Sequence, residues 1–205
     1  MGADVQKQIV RGAEGLGVSL SSECASRLEA YFLILQKWSK TMRLVGSGDS
    51  ESLLRHILDS LAPTRLELPE LPFVDIGSGA GFPGLPLAAL HPLRPVFLVE
   101  SRLRRAAFLK EAVRAMELQE VQVLASRFED TQLPSDVLAM SRAVAPPPRF
   151  LAMVEERGVR QAVVMANETM LMEQYAPGWK VLNQDRPPLD FSPAHINLLC
   201  SMESF

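Results

Sequence analysis

The sequence predicts an α/β protein in which a helical unit precedes a mostly parallel sheet of seven strands. Three observations support this prediction: residues 5–62 show helical periodicity, short apolar runs alternate with helical segments from Phe73 onward, and a glycine-rich stretch follows the first apolar run. With 205 residues and 47% apolar content, the chain can bury a large core. We therefore expect a helical unit over residues 1–64, packed on a sheet domain over residues 65–205.

Three helices are predicted in the N-terminal unit. Apolar residues recur at helical spacing until Gly15 and Gly17 interrupt the pattern. Ser21 can cap the second helix, and Asp49 or Ser50 can start the third, because short side-chain oxygens accept the free amides of a first helical turn. Pro63 is expected to end the third helix.

Seven short apolar runs predict the strands of the sheet. Strands and helices alternate from Phe73 onward, as in parallel sheets with covered faces, and the last two strands are expected to form an antiparallel pair. The predicted strands are 73–76, 95–100, 121–124, 136–140, 161–165, 179–182 and 195–200. Helices are expected directly after the glycine-rich stretch, from a cap at Ser101 to about Glu117, and from about Glu168 to Tyr175.

The stretch from Asp75 to Gly84, Asp-Ile-Gly-Ser-Gly-Ala-Gly-Phe-Pro-Gly, predicts a sharp turn from a buried strand into a helix. Glycines let a ligand approach bare backbone, and the start of the helix offers unpaired amides. Both dinucleotides and S-adenosylmethionine bind turns of this kind. The spacing of Gly79, Gly81 and Gly84 fits the dinucleotide fingerprint, but Pro83 lacks an amide where a pyrophosphate-binding helix donates one. A purely structural corner is the remaining alternative.

Polar residues follow three further strands, at the edge where the carboxyl ends of parallel strands meet. Glu100 ends the second strand about 20 residues beyond the glycines, where a carboxylate can accept both hydroxyls of a ribose. A solvated glutamate is the alternative. Phe128 can flank an adenine, and Glu129 or nearby backbone can bond the exocyclic amine. Arg142 follows the fourth strand and is expected to direct a fixed positive charge into the same crevice.

Three arginines, Arg102, Arg104 and Arg105, crowd the start of the helix after Glu100. Positive charge at this end of a helix dipole costs roughly a few tenths of a kcal/mol per charge unless an anion lies nearby. The arrangement predicts a phosphate-facing surface, with a solvated face as the alternative. A local patch is needed for any RNA contact, because the net charge of −3 gives the whole chain no attraction to nucleic acid.

The order of these elements resembles the bacterial small-subunit ribosomal RNA methyltransferase G family, also called glucose-inhibited division protein B. Four short sequence motifs, or words, carry the resemblance, which covers nearly the whole chain. Two of them are similar to the N-terminal signature and the cofactor loop of the family, and two are similar to further site turns. In that order the words are Leu54-Arg55-His56-Ile57-Leu58-Asp59-Ser60, the stretch from Asp75 to Gly84, Ser126-Arg127-Phe128-Glu129, and Ser141-Arg142-Ala143.

The resemblance implies a class I methyltransferase fold, which is Rossmann-like, with S-adenosylmethionine as methyl donor. It also implies methylation of N7 of a guanine in 16S ribosomal RNA. By motif position it places the cofactor against Gly77, Phe82, Phe128, Glu129 and Arg142. With the turn and strand-end residues added, the predicted cofactor contacts are Asp75, Gly77, Ser78, Gly79, Gly81, Phe82, Glu100, Ser101, Phe128, Glu129 and Arg142.

Predicted RNA contacts come from the arginine cluster, the N-terminal signature and loops in which the chain departs from the family. Arg43-Leu44-Val45 stands where members usually carry an Asn-Leu-Thr-like word, Ala166-Asn167 where they have a lysine, and Ala194 where they have an arginine. A cofactor-binding protein with another acceptor, or without turnover, is therefore the alternative. The predicted RNA contacts are Arg43, Arg55, His56, Arg102, Arg104, Arg105 and His195.

We expect neither a catalytic acid–base pair nor a metal. Guanine N7 has a free lone pair and no proton, and the histidines and cysteines share no metal-ligand spacing. The chain shows no signal or membrane-spanning pattern, which predicts a cytoplasmic protein, and we expect a monomer that acts on ribosomal RNA or on the assembled small subunit. A nicotinamide-dependent dehydrogenase is disfavoured, since about 130 residues after the turn leave little room for a substrate domain.

Overall fold

The computed structural model describes residues 2–142, 145–166, 178–188 and 195–202. Its helices are α1 (Gly2–Gly15), α2 (Ser22–Ser39), α3 (Ser50–Leu61), α4 (Gly84–Leu90), α5 (Leu103–Ala115) and α6 (Pro147–Glu155). Its strands are β1 (Phe73–Ile76), β2 (Val96–Val99), β3 (Val121–Leu124), β4 (Leu138–Ser141), β5 (Gln161–Ala166), β6 (Trp179–Asp185) and β7 (His195–Ser201). The helix predicted from about Glu168 to Tyr175 lies outside the described residues.

These strands form one sheet in the order β3-β2-β1-β4-β5-β7-β6. The strands from β1 to β5 pair in parallel, and β7 lies antiparallel between β5 and β6. The prediction of a mostly parallel sheet with an antiparallel end is thus confirmed. Strand order reverses at β1, which has β2 on one side and β4 on the other. Such a reversal opens a crevice at the carboxyl ends of the strands, where ligands bind in open α/β sheets.

Helices cover both faces of the central strand, so β1 is buried along its whole length. Phe73 faces a core cluster to which all of α1 to α5 contribute. Val74 and Ile76 face a second cluster, which contains Phe150 of α6. Because successive side chains of a strand point to opposite faces, Asp75 shares the face of Phe73, under the N-terminal helices.

The N-terminal helices pack directly on the sheet domain. Helix α2 lies against α4 and α5, and α3 lies against α4. Both predicted caps are confirmed: Ser21 Oγ accepts the Cys24 amide at 3.1 Å, and Asp49 Oδ1 accepts the Ser52 amide at 2.9 Å. The boundary between residues 64 and 65 stays a prediction, since the two parts share one apolar cluster.

Two helix starts differ from the sequence-based expectation. Ser101 does not cap α5: Arg102 occupies the cap position without a side-chain hydrogen bond, and the Glu100 carboxylate holds the Arg102 amide instead. Helix α6 was not predicted, because it begins inside a proline run. Pro147 and Pro148 suit this place, since the first turn of a helix needs no amide and favours the fixed φ of proline.

Candidate functional site

The turn between β1 and α4 is anchored to the neighbouring strand. The amides of Gly77 and Ser78 donate hydrogen bonds to the Val99 carbonyl, at 2.9 and 3.0 Å. Gly77, Gly79 and Gly81 have φ angles of 71°, 55° and 92°, which residues with side chains rarely adopt. The sequence needs glycine here because the backbone itself has this shape.

The glycines of the turn serve two purposes. At Gly84 a Cβ would lie 2.4 Å from Leu98 Cδ2 and 2.7 Å from Asp75 Oδ2, and at Gly81 it would lie 2.5 Å from Leu85 Cδ1. These two positions are therefore required for packing. At Gly79 the nearest atom would be Arg105 Nη1, at 3.6 Å, so this part of the turn leaves room for a ligand.

Asp75 lies beneath the turn with one unused oxygen. The residue is 1% exposed, and its Oδ2 accepts the Gly84 amide at 3.1 Å. Oδ1 is buried and has no hydrogen-bond partner among the described residues. Burial raises the pKa of Asp75 to about 7, although the Gly84 hydrogen bond opposes this rise. The carboxyl group would therefore gain from a ligand that donates a hydrogen bond or carries positive charge.

Glu100 connects the glycine turn to the start of α5. Its Oε2 accepts the Gly79 amide at 3.0 Å, and its Oε1 accepts the Arg102 amide at 2.8 Å. The residue is buried, at 5% exposure, and is therefore not the solvated glutamate that the alternative interpretation required. Each carboxylate oxygen can accept a second hydrogen bond, so the group retains capacity for a ligand.

Helices α2 and α3 reach the turn from the N-terminal side. Tyr31 of α2 is fully buried, donates a hydrogen bond to the Ala80 carbonyl, and packs edge-on against Phe82 with ring centroids 5.6 Å apart. The ring of His56, on α3, lies 5.5 Å from that of Phe82. Burial and, to a smaller extent, Arg142 lower the pKa of His56, which makes a neutral imidazole the main form at pH 7.

Arg142 packs over the ring of Phe82. Its Cζ is 4.7 Å from the Phe82 ring centroid, a cation–π distance. Its Nη1 is 3.6 Å from Asp59 Oδ2 and donates to the His56 carbonyl at 3.5 Å. Burial lowers the pKa of Arg142 while Asp59 opposes the shift, and a guanidinium remains protonated in any working pH range.

Of these groups, residues 77–80 of the turn, Phe82, His56 and Arg142 border a cleft of about 280 Å³. The loop between α2 and α3 supplies further lining through Leu44, Val45 and Gly46. Among the predicted cofactor contacts, the cleft is lined by Gly77, Ser78, Gly79, Phe82 and Arg142. Among the predicted RNA contacts, it is lined by His56 and Arg105.

Six predicted cofactor contacts are not part of this lining. Asp75, Gly81 and Glu100 belong to the buried support of the glycine turn, whereas Phe128, Glu129 and Ser101 lie elsewhere. Phe128 is 4% exposed and packs in the second core cluster, with the Arg157 guanidinium 5.9 Å from its ring centroid. Glu129 and Ser101 are exposed. Contacts of these residues with a cofactor stay predictions.

The remaining predicted RNA contacts are spread around the cleft. Arg43, Arg102 and Arg104 are exposed. Each lies within three positions of a residue that lines the cleft. None of them forms a salt bridge with another described residue. Arg55 pairs with Glu51 on α3. His195 pairs with Ala166 at the carboxyl end of β5, and it therefore lies at the edge of the sheet where ligands bind. Ala143, Asn167 and Ala194 lie outside the described residues.

The sequence assigned no site role to Tyr31, and Asp59 entered only as part of the N-terminal signature. The loop with Leu44 and Val45 was assigned to RNA contact, whereas the structure places Leu44 to Gly46 in the lining of the cleft. One signal was available for Asp59: it follows His56 by three positions in a predicted helix, which places both on one face. Tyr31 carried no distinguishing signal, since buried aromatic residues are common on the apolar side of a helix.

Neither a membrane-spanning helix nor a metal-binding group is found in the part of the chain that the structure describes. None of its helices is long and apolar enough to cross a bilayer. None of its clusters of histidine, cysteine, aspartate or glutamate has three members that could hold a metal ion.

Comparison with known proteins gives consistent matches along the sequence. A family model described as rRNA small subunit methyltransferase G matches residues 24–174. The ribosomal RNA small subunit methyltransferase G of Desulfotalea psychrophila is 40% identical over 162 residues, covering 76% of this chain and 74% of the relative. The protein of the same name from Halorhodospira halophila is 37% identical over 142 residues, covering 69% of this chain and 68% of the relative.

Solved structures agree at the level of the fold. TYW2 of M. jannaschii, in complex with AdoMet, has a TM-score of 0.55 at 17% identity, covering 72% of this chain and 76% of that chain. A variant of MtNAS, in complex with S-adenosylmethionine, has a TM-score of 0.54 at 14% identity, covering 97% of this chain and 88% of that chain. The fold is therefore that of the class I methyltransferases. By its family match, its relatives and this fold, the chain belongs to the rRNA small subunit methyltransferase G family and is an S-adenosylmethionine-dependent methyltransferase.

Proposed function

We propose that this enzyme methylates N7 of a guanine in small-subunit ribosomal RNA. The observation that carries the proposal is the cleft at the carboxyl edge of β1, which joins a glycine turn to arginines at its border, in a chain whose relatives are named for this RNA. We further propose that it acts as a monomer in the cytoplasm, where ribosomal RNA is found.

The cleft residues, together with the two carboxylates that hold the glycine turn, suit S-adenosylmethionine. Gly79 leaves space beside bare backbone, Glu100 has lone pairs for the ribose hydroxyls, and the free oxygen of Asp75 can accept a hydrogen bond from an amino group. Arg142 offers guanidinium donors to a carboxylate. When bound, the cofactor supplies an electrophilic methyl group on a positively charged sulfur.

The acceptor atom makes modest demands on the protein. Guanine N7 has an in-plane lone pair and no proton, so no side chain has to act as a general base. The protein contributes by holding N7 in line with the methyl carbon, and such positioning can lower a barrier by several kcal/mol. Phe82 and the neutral ring of His56 suit this role, because their rings lie 5.5 Å apart and give the cleft an uncharged wall against which a planar base can be held.

RNA binding is proposed to rest on the exposed arginines around the cleft. Arg104 and Arg105 lie in the first turn of α5, and Arg102 directly precedes this helix. Arg105 lines the cleft. Arg43 precedes the lining residue Leu44 on another side. These charges can bind phosphates that flank the target nucleotide, which gives local affinity to a chain of net negative charge.

The test uses S-adenosylmethionine with a labelled methyl group. Naked 16S RNA and assembled small subunits, both from cells that lack this modification, are incubated with the enzyme, and the RNA is digested to nucleosides. We expect the label in 7-methylguanosine, and less label at limiting cofactor with the control variant Gly79→Ala, in which we expect cofactor affinity to be weakened. Cofactor binding without label in either substrate would overturn the acceptor assignment.

A second candidate is a methyltransferase of this fold with a different acceptor. Val45 favours it, because this residue lines the cleft at a position where the family resemblance leads us to expect a threonine-like hydroxyl. Val45→Thr should raise activity on ribosomal RNA if the apolar residue limits that substrate. If neither the original enzyme nor Val45→Thr methylates ribosomal RNA, the result would favour a different acceptor.

A further inference from the structure

We propose that Asp59 of α3 is a positioning residue, which holds the guanidinium of Arg142 over Phe82 in the arrangement that cofactor binding requires. The inference rests on the proposed use of the cleft as the cofactor site. It gives the N-terminal helical unit a part in binding the cofactor that is exerted through Arg142.

Of the three contacts that described residues make with the Arg142 guanidinium, two come from α3. Asp59 Oδ2 lies 3.6 Å from Nη1, and the His56 carbonyl accepts from the same nitrogen at 3.5 Å. The third contact is the ring of Phe82, at 4.7 Å. Residues 56 and 59 lie one helical turn apart, so α3 presents both groups to Arg142 as a rigid unit.

The ion pair is shielded from solvent. The side chains of Arg142 and Asp59 are 21% and 16% exposed, so salt screens their attraction less than at an open surface. A mostly buried cation that loses its counter-charge moves toward water or toward another carboxylate. Asp75 is another carboxyl group that acts on Arg142, and it lies buried beneath the glycine turn. Asp59 therefore keeps the arginine on the wall.

Asp59 itself is not among the described residues that line the cleft, whereas Arg142 is. Removal of the Asp59 charge should thus change cofactor affinity only through Arg142. A double-mutant cycle measures this dependence, because residues that act through one another give non-additive effects.

The first experiment measures binding of S-adenosylhomocysteine by calorimetry, without RNA. Asp59→Asn should weaken binding about tenfold, and Asp59→Glu, which restores the charge, should recover part of the loss. The matched control is Glu51→Gln, which breaks the exposed pair with Arg55 on the same helix and should leave affinity within twofold. Affinity of Asp59→Asn within twofold of the unmodified enzyme would overturn the proposal.

The second experiment repeats the substitution in an Arg142→Gln background. The double variant should bind S-adenosylhomocysteine as Arg142→Gln does, because Asp59 then has no arginine to hold. A further loss of threefold or more would show that Asp59 acts independently and would overturn the proposal. If Asp59→Asn alone does not fold, this comparison still decides the question, since the double variant removes both charges of the pair.

The two proposals can fail separately. If the unmodified enzyme does not bind S-adenosylhomocysteine, the assignment of the cleft fails. If it binds the ligand and Asp59→Asn binds it equally well, only the role of Asp59 fails.

Discussion

Replacement of Gly79 by alanine should separate cofactor binding from the stability of the fold. The new Cβ would lie 3.6 Å from Arg105 Nη1 and 3.7 Å from the Gly77 carbonyl oxygen, both ordinary contact distances. The cost to folding then comes from the backbone, since φ is +55° and a left-handed conformation costs a residue with a side chain about 1 kcal/mol. In a chain of 205 residues this should lower the unfolding midpoint by about 2–4 °C.

The same methyl group projects into the space that we assign to the nucleoside. Affinity for S-adenosylhomocysteine should therefore fall at least about tenfold, or about 1.4 kcal/mol. Gly158→Ala is the matched control, because Gly158 has a φ of +75°, has no atom within 4 Å of a new Cβ, and lies before β5 at the opposite edge of the sheet. It should lose similar stability and no affinity. Thermal unfolding and calorimetry of both variants decide the matter: unchanged affinity in Gly79→Ala would refute the reasoning.

Three further predictions concern charge and packing around the cleft. Asp75→Asn should flatten the pH dependence of stability. In the original protein the folded carboxyl group has a pKa of about 7, against an ordinary 3.8, so it keeps a proton that the unfolded chain releases. The free energy of unfolding of that protein should therefore fall by up to about 4 kcal/mol from about pH 4 to 7, and the variant should lack this fall. Urea unfolding at several pH values tests this, and equal slopes in both proteins would contradict it. Tyr31→Phe should lower the free energy of unfolding by about 1–3 kcal/mol, because it leaves the Ala80 carbonyl without its partner, and it should weaken S-adenosylhomocysteine binding. The control Glu111→Gln weakens contacts between α2 and α5 and should not change that affinity. Arg104→Gln should reduce the salt dependence of RNA binding by about one charge without a change in cofactor affinity; an unaltered salt slope would remove this residue from the RNA surface.

The parts of the fold that could be predicted from sequence are those encoded by local chemistry. Phe73 to Ile76 is apolar apart from one acid and is followed by glycines, which marks a buried strand and a tight turn at once. Ser21 and Asp49 begin helices because their oxygens accept amides three positions ahead. The acid at position 100 was correctly placed at the end of β2 for the same local reason.

Other features depend on which residues meet in space. Ser101 has the chemistry of a cap, but Glu100 reaches the Arg102 amide and α5 begins later. The contact of Asp59 with Arg142 joins a helix of the N-terminal unit to a strand end far along the chain, and no periodicity encodes such a pair. Tyr31 likewise reaches Ala80 only after α2 has packed on α4.

The most direct test of this account is a crystal structure of the enzyme with S-adenosylhomocysteine. We predict that the ligand lies in the cleft beside Gly79, with its ribose hydroxyls within hydrogen-bond distance of the Glu100 carboxylate. A ligand without contact to Glu100 would contradict the account, and so would one in the larger cavity of about 570 Å³ lined by His91 and Arg94, at the amino edge of the sheet.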